Sequence, residues 1–279
     1  MLRRILIPLD SSPYTESALE MGCWLARSTG AAITGLAVVD LPGIEKSVGS
    51  VPLGGIYYAE RLVESKKQEL LDRVAGLLNR FDQFCRAQGV PHTQAELQGR
   101  PSAEIVHESV FHDLVIIGRR TYYKSEEVDP HGDSAEQTLE LTPVPIIIVP
   151  KSFKPAPKKL NALVAFDGSP AAARSLQRFA QLVNPAEFTV KIIVSQPNED
   201  QAKWMLVKAT EYLRDYGFAE VQWDWTSQDI KDAAKERYFE EADMVVLGLH
   251  SRHGALDFLI GSFSRFIIKD TDKVLLIGQ

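Results

Sequence analysis

One unit is written twice in this chain, and the repetition limits its fold more than any other feature. Residues 5–13, ILIPLDSSP, and residues 162–170, ALVAFDGSP, align Asp10 with Asp167 and Pro13 with Pro170. In both copies an apolar run ends in an acidic residue, a small residue, Ser and Pro. That is the order expected where a short buried strand gives way to a helix capped by Asp or Ser with Pro in its first turn. Helical spacing follows in each copy, through Ala18, Met21, Gly22 and Leu25 to a C-cap at Gly30, and through Leu176, Phe179, Ala180 and Val183. Apolar strands come next, Ala32 to Val39 closed by Asp40, and Phe188 to Val194. A repeat of roughly 155 residues is the simplest account and implies tandem domains.

The later parts correspond as well. Gln98 to Ser102 introduces a helix carrying Ile105, Val106 and Val110, followed by the buried strand Asp113 to Gly118. Thr226 to Gln228 introduces a helix to Glu241, followed by Asp243 to Gly248, and each half ends in an apolar strand, Val144 to Val149 and Val274 to Ile277. Between them residues 150–159, PKSFKPAPKK, read as a semi-extended linker. The expected division is therefore 1–150, a linker at 151–159, and 160–279. Strands alternating with helices predict a parallel α/β sheet covered on both faces, with ligands beyond the carboxyl ends of the strands where strand order reverses. Asp10 and Asp167 stand at such ends, and so do Gly118 and Gly248.

Composition narrows the function. A net charge of −6 and a pI of about 5.6 argue against a dedicated nucleic-acid binder. No apolar run approaches the length of a membrane span, and the first ten residues hold too few apolar side chains for a secretory signal, so a cytoplasmic protein is expected. Cys23 and Cys85 lie far apart in sequence, in neither a CxxC motif nor a disulfide framework.

The stretch most suggestive of chemistry is Asp243 to Phe266. The strand Met244 to Leu247 delivers Gly248; a polar loop with His250, Ser251, Arg252, His253 and Gly254 follows, and Gly261-Ser262 opens a periodic segment. Helix N-termini carry unpaired N–H groups and a positive dipole end, so a Gly-Ser there suits phosphate. For the two glycines alone, a turn and a helix start with no ligand are the better account. The spacing Gly248-x2-Ser251-x9-Gly261-Ser262 resembles the nucleotide signature G-x2-G-x9-G-[ST] of the universal stress protein family, with Ser251 in place of the second glycine. Neither a P-loop nor a strand-linked G-x-G-x-x-G is present.

With the duplication and the two Asp-containing turns, the resemblance covers essentially the whole chain. It implies two tandem doubly wound parallel five-stranded sheets of order 3-2-1-4-5, similar to adenine-nucleotide alpha hydrolases, and ATP bound where the signature is intact. By that resemblance Asp167 would meet the adenine and Val194 the ring or ribose, while Gly248, His250, Ser251, Gly261, Ser262 and Phe263 would line the phosphates. Magnesium would be held mainly by phosphates and water. The last strands of the halves would pair, and a homodimer is implied in addition.

The first half departs from the signature. Ten residues instead of nine separate Thr121 from Gly132, and Asp133 stands where Ser or Thr is wanted. A carboxylate caps a helix and occupies the donors that phosphate would use, so this site, with Asp10, Gly118, Thr121, Gly132 and Asp133, is expected to be degenerate. Arg119 and Arg120 would favour phosphate, but the sequence does not fix where they point. Residues 40–56 read as an unusually long loop, as apt to be a lid or partner surface as a disordered insertion. Residues 57–88 place Leu70, Val74, Leu77, Phe81 and Phe84 or Cys85 on one face, the stripe of a helix packed on a sheet.

The remaining signals favour plain structural roles. His250 and His253 have no third ligand nearby, so no metal site is expected. Trp223 and Trp225 alternate as in a half-buried strand near a sheet edge. Without a Walker lysine, a nucleophile elbow or a clear general base, catalysis is not expected beyond slow ATP hydrolysis. Three functions stay open at this point: an ATP-binding stress or signalling protein with a mainly structural first half, a nucleotide-independent adaptor for a protein partner, and an enzyme of an adenylating class.

Overall fold

The computed structural model describes residues 1–48, 55–120, 138, 141–155, 158–248 and 271–278. The first half contributes β1 (Arg4–Pro8), α1 (Tyr14–Thr29), β2 (Ala32–Val39), α2 (Leu41–Val48), α3 (Ile56–Ala87), β3 (His92–Gln98), α4 (Pro101–Ser109), β4 (Leu114–Gly118) and β5 (Ile146–Val149). The second contributes β6 (Leu160–Ala165), α5 (Pro170–Leu182), β7 (Phe188–Ser195), α6 (Glu199–Asp215), β8 (Val221–Thr226), α7 (Ile230–Arg237), β9 (Met244–Gly248) and β10 (Val274–Gly278).

The strands lie in the order β3-β2-β1-β4-β5-β10-β9-β6-β7-β8. Each half thus has the order 3-2-1-4-5 with parallel neighbours. The two five-stranded sheets share an edge: β5 and β10 pair antiparallel, with Ile148 opposite Leu275, Ile147 opposite Leu276 and Ile146 opposite Ile277. One ten-stranded sheet results. Successive strand residues face opposite ways, so β5 sends Ile147 to one face and Ile146 and Ile148 to the other. α1, α3, α5 and α6 cover the first face through residues such as Leu25, Phe81, Phe179 and Leu206. α4 and α7 cover the second through Ile105, Ala233 and Ala234.

Local sequence explains most boundaries. Gly30 ends α1 in the left-handed region, φ 76°, its N–H donating to the Ala26 carbonyl. The buried stripe of α3 is Leu70, Val74, Leu78, Phe81 and Cys85, so Leu78 takes the place expected for Leu77, which packs at the margin. The Phe81 ring lies on the sheet where β2 has Gly35, and a Cβ there would fall 2.7 Å from Phe81 Cδ1. Cys23 and Cys85, distant in sequence, meet as buried free thiols where α1 crosses α3, their sulfurs 4.0 Å apart. Trp223 and Trp225 lie on β8, which forms an edge of the sheet.

Two expectations change. Part of the anticipated 40–56 loop is helical: buried Asp40 accepts from the Gly43 N–H at 2.9 Å, and α2 runs on to Val48. α7 stops at Arg237 instead of Glu241: the Tyr238 and Phe239 N–H groups both donate to the Ala234 carbonyl, which breaks the helical ladder, and both side chains are buried, the Tyr238 hydroxyl donating to Asp224 on β8. Among the described residues no helix is long and apolar enough to cross a membrane.

His112 closes the strand-start edge of the first half. Its Nδ1–H donates to the Glu108 carbonyl at 2.9 Å, which fixes Nε2 as an acceptor for the Thr34 hydroxyl at 3.0 Å, and Thr34 in turn lies 3.2 Å from Thr93 Oγ1. Burial holds the imidazole pKa below its ordinary value. The unfolded chain therefore takes up a proton more readily, and His112 lowers stability as pH falls through the unfolded value of about 6.5. Melting temperature measured against pH should drop less steeply below that point in His112→Gln than in the wild type.

Candidate functional site

In the second half three strand ends converge. Val164 pairs with Val246 and Ala165 with Ile193, so β6 is flanked by β9 and β7, and the chain leaves β6 at the reversal of strand order. The turn that follows is built by Asp167, Gly168 and Ser169. The Ser169 N–H donates to Asp167 Oδ1 at 2.9 Å, Gly168 takes φ 75°, and Ser169 Oγ caps α5 by accepting from the Ala172 N–H at 3.2 Å. Asp167 is half-buried, and among the described residues its Oδ2 has no partner.

Gly248 ends β9 against the start of α5. A Cβ on it would lie 2.6 Å from both the Ala171 carbonyl carbon and the Ala172 nitrogen, so glycine is what lets strand and helix approach. Ser175 locks the same helix to the sheet, donating to the Leu247 carbonyl at 2.8 Å and accepting from the Gly278 N–H at 2.9 Å. Val194 is fully buried, its side chain in the core between the sheet and its helices. Three of the expected residues, Asp167, Val194 and Gly248, thus stand at adjacent strand ends. His250, Ser251, Gly261, Ser262 and Phe263 lie outside the described residues.

The first half has the same scaffold and a different interior. Asp10, 4% exposed, accepts at Oδ1 from the Ser12 N–H at 3.0 Å, the Ser12 hydroxyl at 2.6 Å and the Thr15 hydroxyl at 2.5 Å. Thr15 occupies the place of Ala172 in the second half, and Tyr14 that of Ala171. At Gly118 a Cβ would fall 2.3 Å from Tyr14 Cβ, so the tyrosine stands directly against the end of β4. Two sequence differences that drew no notice, Tyr14-Thr15 against Ala171-Ala172, therefore separate a crowded, internally bonded turn from an open one. Thr121, Gly132 and Asp133 lie outside the described residues.

Arg119 turns toward the joint between the halves. Its side chain is 9% exposed, Nη2 donates to the Lys273 carbonyl at 2.9 Å, and Asp272 lies 4.0 Å away. Burial lowers its pKa, opposed by Asp272, and among the described residues Nε has no hydrogen-bond partner. Arg120 is exposed.

The model of the universal stress protein family matches residues 1–150. A universal stress protein of Synechocystis is 26% identical over 292 residues, covering 99% of both chains. Among solved structures, a universal stress protein from Archaeoglobus fulgidus is 21% identical with a TM-score of 0.70, covering 99% of this chain and 96% of its own. A functionally unknown protein from Pseudomonas aeruginosa gives 16% identity, a TM-score of 0.59, and coverage of 99% and 92%. These two structural likenesses carry the fold.

The tight approach at Gly248 predicts that Gly248→Ala lowers stability by about 1–3 kcal/mol, because the methyl meets backbone. Gly76→Ala, at an open helical position, should instead stabilise by roughly 0.5–1 kcal/mol. Urea denaturation of both variants checks the contrast.

Proposed function

The chain belongs to the universal stress protein family, and from that premise we propose that its second half binds ATP while its first half supplies stability and interface. The observation that carries this reading is the contrast between the two strand-end aspartates. Asp10 is surrounded by donors of its own turn, whereas Asp167 Oδ2, at the reversal of strand order, has no partner among the described residues. An uncommitted carboxylate oxygen is suited to accept an amino group such as that of adenine.

The spacing Gly248-x2-Ser251-x9-Gly261-Ser262 supports the same reading, the phosphates being expected on backbone N–H groups around Gly261 and Ser262. Magnesium would accompany the nucleotide, held by its phosphates. Such a protein would act in the cytoplasm, as a homodimer, by presenting a nucleotide-dependent surface to a protein partner, and would hydrolyse ATP slowly if at all. Ser251 in place of glycine favours a second reading, a nucleotide-independent adaptor.

Calorimetry with MgATP on the full chain separates the two. Binding of one equivalent is expected, lost in Gly261→Asp with the melting temperature nearly unchanged. Asp167→Ala should weaken it about tenfold or more. Asp133→Ser should add no second equivalent, because the first loop is one residue too long as well. Two equivalents in the wild type would refute the assignment to one half, and no binding at millimolar ATP would leave the adaptor reading.

A further inference from the structure

The halves also differ at the opposite edge of the sheet, where the strands begin. Leu6 lies between Thr34 and Val115, and Leu163 between Lys191 and Val245. Thr34 in turn neighbours Thr93, and Lys191 neighbours Gln222. Register therefore equates Thr34 with Lys191 and Thr93 with Gln222. It also equates His112 with Ala242, which precede Val115 and Val245 by the same three residues.

In the first half the His112 imidazole fills the space over Thr34 and bonds to it. In the second half Ala242 leaves that space open, and a pocket of about 430 Å³ is present, with Lys191, Gln222, Tyr238 and Ala242 in its lining. This is the lower part of the range in which small metabolites are bound.

Four polar side chains of the pocket lining are already engaged. The Tyr238 hydroxyl donates to Asp224, the Thr189 hydroxyl to Glu220, the Asn161 side-chain amide to the Glu241 carbonyl, and Asp243 accepts from the Asn161 N–H. The Lys191 ammonium lies 5.4 Å from the centre of the Tyr238 ring and makes no ion pair among the described residues; the Gln222 amide has no partner among them. Among the described residues the pocket therefore offers two side chains whose N–H groups have no hydrogen-bond acceptor, one of them cationic, which suits a carboxylate. Lys158, Glu240 and Glu241 stand exposed in the lining, so both signs of charge are present and the carboxylates can attract an ammonium.

We propose that this pocket binds a small zwitterion of free α-amino-acid size, its carboxylate on Lys191 and Gln222 and its ammonium toward the glutamates. The site lies at the strand-start edge, away from Asp167 and Gly248, and does not depend on nucleotide binding.

The test is thermal shift and calorimetry on the full chain with each common L-amino acid at millimolar concentration, with acetate and inorganic phosphate in parallel. At least one amino acid should raise the melting temperature by about 2–4 °C. Lys191→Met should weaken that amino acid about tenfold or more. The pair Lys191→Thr with Ala242→His rebuilds the sealed arrangement of the first half and should fold normally and bind nothing. The proposal is overturned if no amino acid shifts the wild type, if the shift survives in the sealed variant, or if acetate or phosphate reproduces it.

Discussion

The antiparallel pairing of β5 with β10 is the contact on which the rest of the architecture depends. Each is the last strand of its half and wholly apolar, Ile-Ile-Ile-Val and Val-Leu-Leu-Ile-Gly, and every residue of both is buried. Left alone, either would be an open hydrophobic edge, the kind of surface that recruits other chains. Paired, they turn two edges into the middle of one sheet. Because the pairing is antiparallel, the strand ends of one half point opposite to those of the other. Arg119, at the end of β4, can therefore reach the Lys273 carbonyl at the start of β10. The cation that sequence alone could assign to a phosphate belongs to this joint.

The same scaffold then carries two different interiors, and few side chains decide which. Thr15 and Tyr14 close the first strand-end turn, where Ala172 and Ala171 leave the second open. At the other edge the assignment is again one-sided, since His112 fills what Ala242 leaves empty. In both places bulk and internal hydrogen bonding lie in the first half and space and uncommitted polar groups in the second. A duplicated fold can divide labour in this way, because the shared sheet lets one half supply rigidity that the other lacks.

Much of this was legible in the sequence because it is local. The Asp-x-Ser-Pro turns, the Gly30 cap, the α3 stripe and the order of strands and helices depend on residues within a turn or two of each other. What escaped notice depends on register. Nothing near Cys23 announces Cys85, 62 residues away, and the His112–Thr34 contact spans 78 residues. α2 was hidden because its cap comes from Asp40, which also reads as the end of a strand. Leu78 and Leu77 are neighbours on a helix wheel, and only the sheet beneath decides which is inside.

Why the open aspartate is Asp167 and not Asp10 follows from burial. An acceptor at 4% exposure without partners would forgo water and protein alike, at a cost of about 1–3 kcal/mol, more for a charge. Asp10 therefore has to be bonded inside its own turn, and Ser12 and Thr15 meet that demand whether or not a ligand is present. Asp167 is half-buried, so water can satisfy Oδ2 in the free protein at little cost and leave when a donor arrives. Replacing Thr15 by alanine in the first half would not make an equivalent site, because the carboxylate would stay buried and bonded to Ser12. On the proposed reading, openness to solvent counts for more than the identity of the acidic residue in choosing between the two strand ends.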